Sequence, residues 1–163
     1  MNRRGMLSLT VAGLIGFCTV ATARAETLKF RQVLHVASVQ SQDVGDAAGH
    51  VMSLVRLTGL ASFPDGSVGT AYFTAVTDYT NGAGPFSVYQ NLTLNDGSAV
   101  WYKTDGTAKM DGAITLFTGT LTVLGGKGRF QGAKGDGTVV GARLNPLNVG
   151  AVLYFDTTIN IGQ

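Results

Sequence analysis

From about residue 28 onward, apolar and polar residues alternate with a period of two, and no stretch carries a 3.6-residue apolar stripe. In 86–94, Phe86, Val88, Leu92 and Leu94 share a face with Gln90, while Ser87, Tyr89, Asn91 and Thr93 oppose them. In 150–161, Ala151, Leu153, Phe155, Ile159 and Ile161 face one way; Val152, Tyr154, Asp156, Thr158 and Asn160 face the other. Thr118, Thr120 and Thr122 line one side of 113–124. Turn signals punctuate these runs: Asp65-Gly66-Ser67, Asn81-Gly82, Asp96-Gly97-Ser98, Asp105-Gly106-Thr107 and Asp111-Gly112. Asp-Gly and Asn-Gly supply the positive φ of tight hairpins. The pattern predicts strands at 28–39, 50–63, 68–80, 86–94, 99–104, 113–124, 136–144 and 150–161. Strands in sequence joined by short hairpins form an antiparallel up-and-down sheet, and about eight of them close into a barrel with no exposed edge. The expected fold is therefore an all-β, eight-stranded antiparallel up-and-down β-barrel. One face is apolar and the other mixed, rich in Tyr, Thr and Asn. If the mixed face lines the lumen, the barrel holds a ligand pocket with polar handles.

The N-terminus reads differently. Arg3 and Arg4 precede an uncharged apolar run, Met6–Val20, and Ala23-Arg24-Ala25 forms a small-x-small cleavage site. That is the layout of a secretory signal peptide over 1–25, with a single domain over 26–163. The run is 15 residues long, short of the ~20 a spanning helix needs, so no membrane span is expected after cleavage. Asn2-Arg3-Arg4-Gly5-Met6-Leu7 resembles a twin-arginine motif, so the exported chain, periplasmic or extracellular, travels by the Sec route or the twin-arginine route. Phe17 before Cys18 does not fit a lipobox. Cleavage removes the only cysteine, excluding disulfides and thiol chemistry from the mature chain. It also removes Arg3, Arg4 and Arg24 from twelve basic residues, leaving nine against ten acidic ones. No electrostatic nucleic-acid binder is implied.

The segment Thr122-Val-Leu-Gly125-Gly126-Lys-Gly128-Arg129-Phe130-Gln-Gly132-Ala-Lys-Gly135-Asp136-Gly137 carries five glycines between 125 and 135. It is neither a P-loop, since Gly128 follows Lys127, nor a dinucleotide fingerprint, since no helix follows. It reads as an excursion between two strands, with Phe130 plugging one barrel end. This segment, with the closing Val152-Leu-Tyr-Phe-Asp-Thr-Thr-Ile, resembles the signature of the allene oxide cyclase barrel that plant dirigent proteins share. The resemblance covers strand order over about 45–161 and specific identity over about 122–137. It implies an eight-stranded barrel around an apolar cavity, a homodimer or homotrimer, no cofactor, and cyclisation or steering of an apolar or aromatic small molecule. The chain looks most like the secreted bacterial members. A lipocalin would need an N-terminal Gly-x-Trp, and Trp101 lies mid-chain.

Catalytic carry-over from that superfamily is poor. The plant cyclases use a glutamate and an asparagine near a Ser-Pro pair, whereas the only glutamate here is Glu26 and 28–39 has no acidic residue. Dirigent proteins use aspartate, arginine and tyrosine. Asp78, Asp156 and Arg56 are of those types, and His35 or His50 could serve as a general base near neutral pH. An inward aspartate in an apolar barrel would have a raised pKa and act as an acid; an outward one would pair with Arg56 or Arg129. Tyr72, Tyr89, Asn91, Trp101, Tyr102 and Tyr154 are candidates to line a flat-ligand pocket, or are ordinary barrel packing. No His-x-His or His-x₃-His spacing supports a metal site, and no Gly-x-Ser-x-Gly elbow is present. Two functions are compatible with this inventory: a small-molecule-binding barrel acting as a cofactor-free cyclase, isomerase or dirigent-like guide, or a non-catalytic structural or interaction barrel of the cell envelope.

Overall fold

A computed structural model describes residues 25–162, and the expected signal peptide, with Cys18, lies outside them apart from Ala25. The chain forms eight strands: β1 (Glu26–Asp43), β2 (His50–Ser62), β3 (Val68–Thr80), β4 (Gly84–Leu94), β5 (Ala99–Asp111), β6 (Ile114–Lys127), β7 (Lys134–Arg143) and β8 (Val152–Gly162). Each pairs antiparallel with the next, and β1 pairs with β8, closing the barrel. The apolar parity of every strand points inward. Leu34, Phe73, Val88, Tyr102, Leu121, Phe155 and Ile159 belong to one continuous core. Barrel closure leaves no edge, so the mixed Tyr/Thr/Asn face is the outer surface.

Two features depart from the sequence reading. β5 runs to Asp111, past the expected turn at Asp105-Gly106-Thr107. The Asp-Gly pair serves packing there. Gly106 points inward, where a Cβ would sit 2.5 Å from the Phe86 ring and against Thr118 O, while Asp105 faces out and binds Lys103 and Ser87. β1 likewise extends to Asp43, bending at a bulge between Val36 and Ser38.

The two barrel ends differ. One is closed by the glycine-rich segment. Gly128–Phe130 form a 3-10 turn, and Phe130, 1% exposed, joins the core beside Gly126. Phe63 stacks on Phe30 at 5.1 Å at the same end. The other end carries the β1–β2, β3–β4, β5–β6 and β7–β8 connections and stays open.

Part of the open rim is held by a clamp. His50 Nδ1 lies 2.5 Å from Asp46 Oδ1 and Nε2 lies 2.6 Å from Asp78 Oδ1. With a carboxylate at each ring nitrogen, the imidazolium is the form that satisfies both. These contacts and the Asn81 N–H to Gly49 O bond (2.9 Å) tie the β1–β2 hairpin to β3 and its turn. The hydrogen bonds that His50 donates to Asp78 and Asp46 raise its pKa from 6.5, and the bond accepted from His50 lowers that of Asp46.

Two predictions follow from this architecture. A Cβ at Gly137 would strike Thr158 O of β8, whereas one at Gly162 meets open space. Gly137→Ala is therefore expected to cost about 1–3 kcal/mol in denaturant unfolding, and Gly162→Ala no more than about 0.5. The clamp should also show in stability against pH. A raised folded-state pKa gives stability that is complete below 6.5 and lost as pH rises through the folded value. Melting temperatures of the wild type should fall relative to His50→Gln as pH climbs from 6.5; parallel profiles would mean that the clamp contributes nothing.

Candidate functional site

The interior side chains pack tightly along most of the barrel. At the closed half, Gln32, fully buried, donates to Tyr102 Oη (3.1 Å) and accepts from Thr157 Oγ1 (3.2 Å). Gln90 donates to Thr104 Oγ1 at 2.6 Å. Such bonds satisfy most of these polar groups inside an apolar core, while Gln90 Oε1 has no hydrogen-bond partner among the described residues.

Toward the open end the packing loosens. A chamber of about 40 Å³ lies among Phe73, Phe86, Phe117, Phe155 and their aliphatic neighbours. The rings contact edge to face or tilted, Phe86–Phe117 at 5.6 Å and Phe117–Phe155 at 5.5 Å. Above it a cup of about 350 Å³ opens at the rim, walled by Val51, Asn81, Met110, Ala113 and Pro146 among others. Tyr79, Arg143 and Leu147 line both spaces and so form the partition between them. The cup falls within the size of ligand pockets, roughly 300–1,000 Å³; the chamber alone does not.

Strand parity places this partition. In β3, Ala71, Phe73, Ala75, Thr77 and Tyr79 all point inward, and Tyr79 is the last before the turn. In β7 the inward positions include Val139 and Arg143, with Arg143 the final residue. Arg143 is 5% exposed. Its Nε donates to Asn145 O and Nη2 to Thr115 Oγ1, both at 2.9 Å, and its guanidinium lies 5.9 Å from the Phe117 ring centroid. Burial lowers the Arg143 pKa, but a guanidinium stays charged at any physiological pH. Burial likewise pushes the Tyr79 phenol up, so it is a neutral hydroxyl. Thr77, also buried, lines the chamber, and its Oγ1 has no hydrogen-bond partner among the described residues. Among the described residues Tyr79 and Arg143 are the only titratable groups lining the cup.

The residues singled out in the sequence stand elsewhere. Asp156 is on the outer face, paired with Arg31 through Nε–Oδ1 and Nη2–Oδ2 contacts of 2.7 Å each, which hold its carboxyl below the usual range. Asp78 is spent on the His50 clamp. Arg56 and His35 are exposed on β2 and β1, and Tyr154 lies outside under the Arg31 guanidinium, 5.2 Å from its ring centroid. None of the five lines the cup or the chamber. Tyr72, Asn91 and Trp101 occupy one cross-strand row, with Tyr89 on the adjacent one, so these four do come together. They do so on the convex surface, with Tyr72 and Tyr89 each 57% exposed. Of the aromatic candidates only Tyr102 faces inward, and it serves Gln32. Arg143, Tyr79 and Thr77 went unnoticed. The signal for Arg143 was its parity: a charge in register with Val139 on a strand otherwise apolar on that face.

Among the described residues no group of three or more His, Cys, Asp or Glu side chains is arranged to hold a metal ion. No family model matches the sequence, and no curated protein matches it. Solved structures do resemble it. A conserved protein of unknown function from Rhodopseudomonas palustris superposes with a TM-score of 0.56 at 11% identity, over 85% of this chain and 98% of that one. The pterocarpan synthase dirigent protein GePTS1 gives a TM-score of 0.51 at 13% identity, covering 96% of each chain. At these identities the likeness is one of fold: the closed eight-stranded barrel of this chain is similar to the fold of that dirigent protein.

Proposed function

We propose that this protein is an exported barrel that binds a small, largely apolar molecule in its open-end cup and holds it by shape and a few hydrogen bonds. The observation that carries this reading is the cup of about 350 Å³, walled by polar and apolar side chains together, opening onto an apolar chamber across a partition that carries Tyr79 and Arg143. Concave, mostly apolar sites with a few convergent polar groups are where small ligands bind. The dirigent-like fold supports it as analogy only. Export rests on the Arg3-Arg4, Met6–Val20 and Ala23-Arg24-Ala25 layout.

Any chemistry at this site is cofactor-free cyclisation or isomerisation by confinement. The cup offers no carboxylate or imidazole to move a proton, but Arg143 and the Tyr79 hydroxyl can stabilise negative charge that develops on an oxygen. The second reading, an interaction barrel, is favoured by one feature: the outward group of Tyr72, Tyr89, Asn91 and Trp101.

Amide chemical shifts on titration with a neutral apolar compound, indole, separate the two. Binding in the cup should move Gly49, Asn81, Gly82 and Ala113, and Ala113→Trp, which fills the cup from an exposed rim position, should weaken affinity about tenfold or more, equivalent to ~1.4 kcal/mol. Shifts confined to the strands around Tyr72, Tyr89 and Trp101 would refute the cup and favour the outer surface.

A further inference from the structure

The partition between cup and chamber holds a positive charge that nothing in the barrel neutralises. Among the described residues Arg143 makes no ion pair. Of its five N–H donors, two have protein acceptors, a backbone carbonyl and a threonine hydroxyl, and both hydrogens of Nη1 have none. Among the described residues the only other titratable group lining the cup is the Tyr79 phenol, which is neutral. A buried cation without a counter-charge is costly, and burial is kept only where something compensates. Arg143 lines the cup, where a molecule from solvent can reach it.

The surroundings define what would reach it. A planar fork of unused donors matches a carboxylate, which accepts two parallel hydrogen bonds. The Tyr79 hydroxyl lines the same partition and can donate a further bond. Below, the chamber presents phenylalanine faces and a single unpartnered hydroxyl, Thr77 Oγ1. At about 40 Å³ it exceeds the roughly 10–15 Å³ that one water needs, and apart from Thr77 and the partition its walls are apolar. It suits a compact apolar group.

We propose that Arg143 is the anion-recognition residue of the barrel, and that its ligand is an organic carboxylate with its charged head on the Arg143–Tyr79 partition and a short apolar body directed into the phenylalanine-lined chamber. This deepens the reading of the cup as the ligand site and rests on it. Arg143 here is a binding group, retained at the expense of the stability of the empty barrel.

Calorimetric titration of the purified chain with benzoate and hexanoate, against benzamide and hexanamide, tests it. The carboxylates should bind at least about tenfold more tightly than the amides of the same shape, a charged donor–acceptor contact being worth that much. Arg143→Met should erase the difference, and Arg143→Lys should keep part of it. Ala113→Trp should weaken acids and amides alike. The melting temperature of ligand-free Arg143→Met should equal or exceed that of the wild type, since an apolar side chain relieves an unpaired buried charge. A purely structural arginine would instead lower it on removal. Equal affinity for acids and amides in the wild type overturns the anion reading and leaves the cup standing. Carboxylate binding unaffected by Ala113→Trp overturns both. Absence of saturable carboxylate binding overturns the anion reading as well.

Discussion

The ladder between β1 and β8 is the contact on which the other features depend. It runs from Glu26 opposite Ile161 to His35 opposite Val152 and turns an eight-stranded meander into a closed wall. Once the sheet closes, each strand has one face inside and one outside, and period-two alternation leaves no intermediate choice. The hydrophobic effect then decides which face goes in. The thirty buried apolar side chains among the described residues are more than enough to commit the apolar parity to the lumen, and every tyrosine and tryptophan of the opposite parity goes to solvent. Register across β1–β8 also places Arg31 directly opposite Asp156, so an exposed bidentate pair marks the seam.

That commitment sets where chemistry can occur. Eight strands leave an interior that side chains nearly fill. Along the closed half they do, with Gln32 bonded to Tyr102 and Gln90 to Thr104. A site can exist only where strands end and inward positions carry side chains that no longer have partners across the lumen. Tyr79 closes β3 and Arg143 closes β7, and both lie at that boundary. The His50 clamp acts on the same end from outside, fixing the hairpin whose Gly49 and Val51 form part of the cup wall. Rim, partition and chamber are thus successive layers of one construction, and the outward aromatic group on β3, β4 and β5 is independent of it.

The architecture was legible in the sequence because alternation is a local signal repeated eight times. Strand number, order and closure follow from it, as does the grouping of Ala151, Leu153, Phe155, Ile159 and Ile161 on one face, while the burial of Phe130 was legible in the glycine-rich segment. The boundaries of β5 were not legible, because Asp105-Gly106 has the composition of a turn while Gly106 is needed for Phe86 to fit across the lumen. That is a tertiary demand with no local trace. The candidate site was missed for a related reason. Asp78, Asp156, Arg56 and His35 drew notice as residue types, but type says nothing of direction. Parity does, and it sends all four outward. Arg143 and Tyr79 carried the informative combination, a polar group on the apolar parity at a strand end. Reading it required knowing that the apolar face was the lumen, a choice that alternation alone leaves open.

The most direct test of this construction is a crystal structure with 4-bromobenzoate, read from the anomalous scattering of bromine. The predicted result is a bromine peak on the chamber side of the partition, near Phe117 and Phe155, with the carboxylate on Arg143 Nη1. A bromine peak on the outer sheet beside Tyr72 and Trp101, or an Arg143 side chain turned out to solvent with the cup closed over, would contradict it.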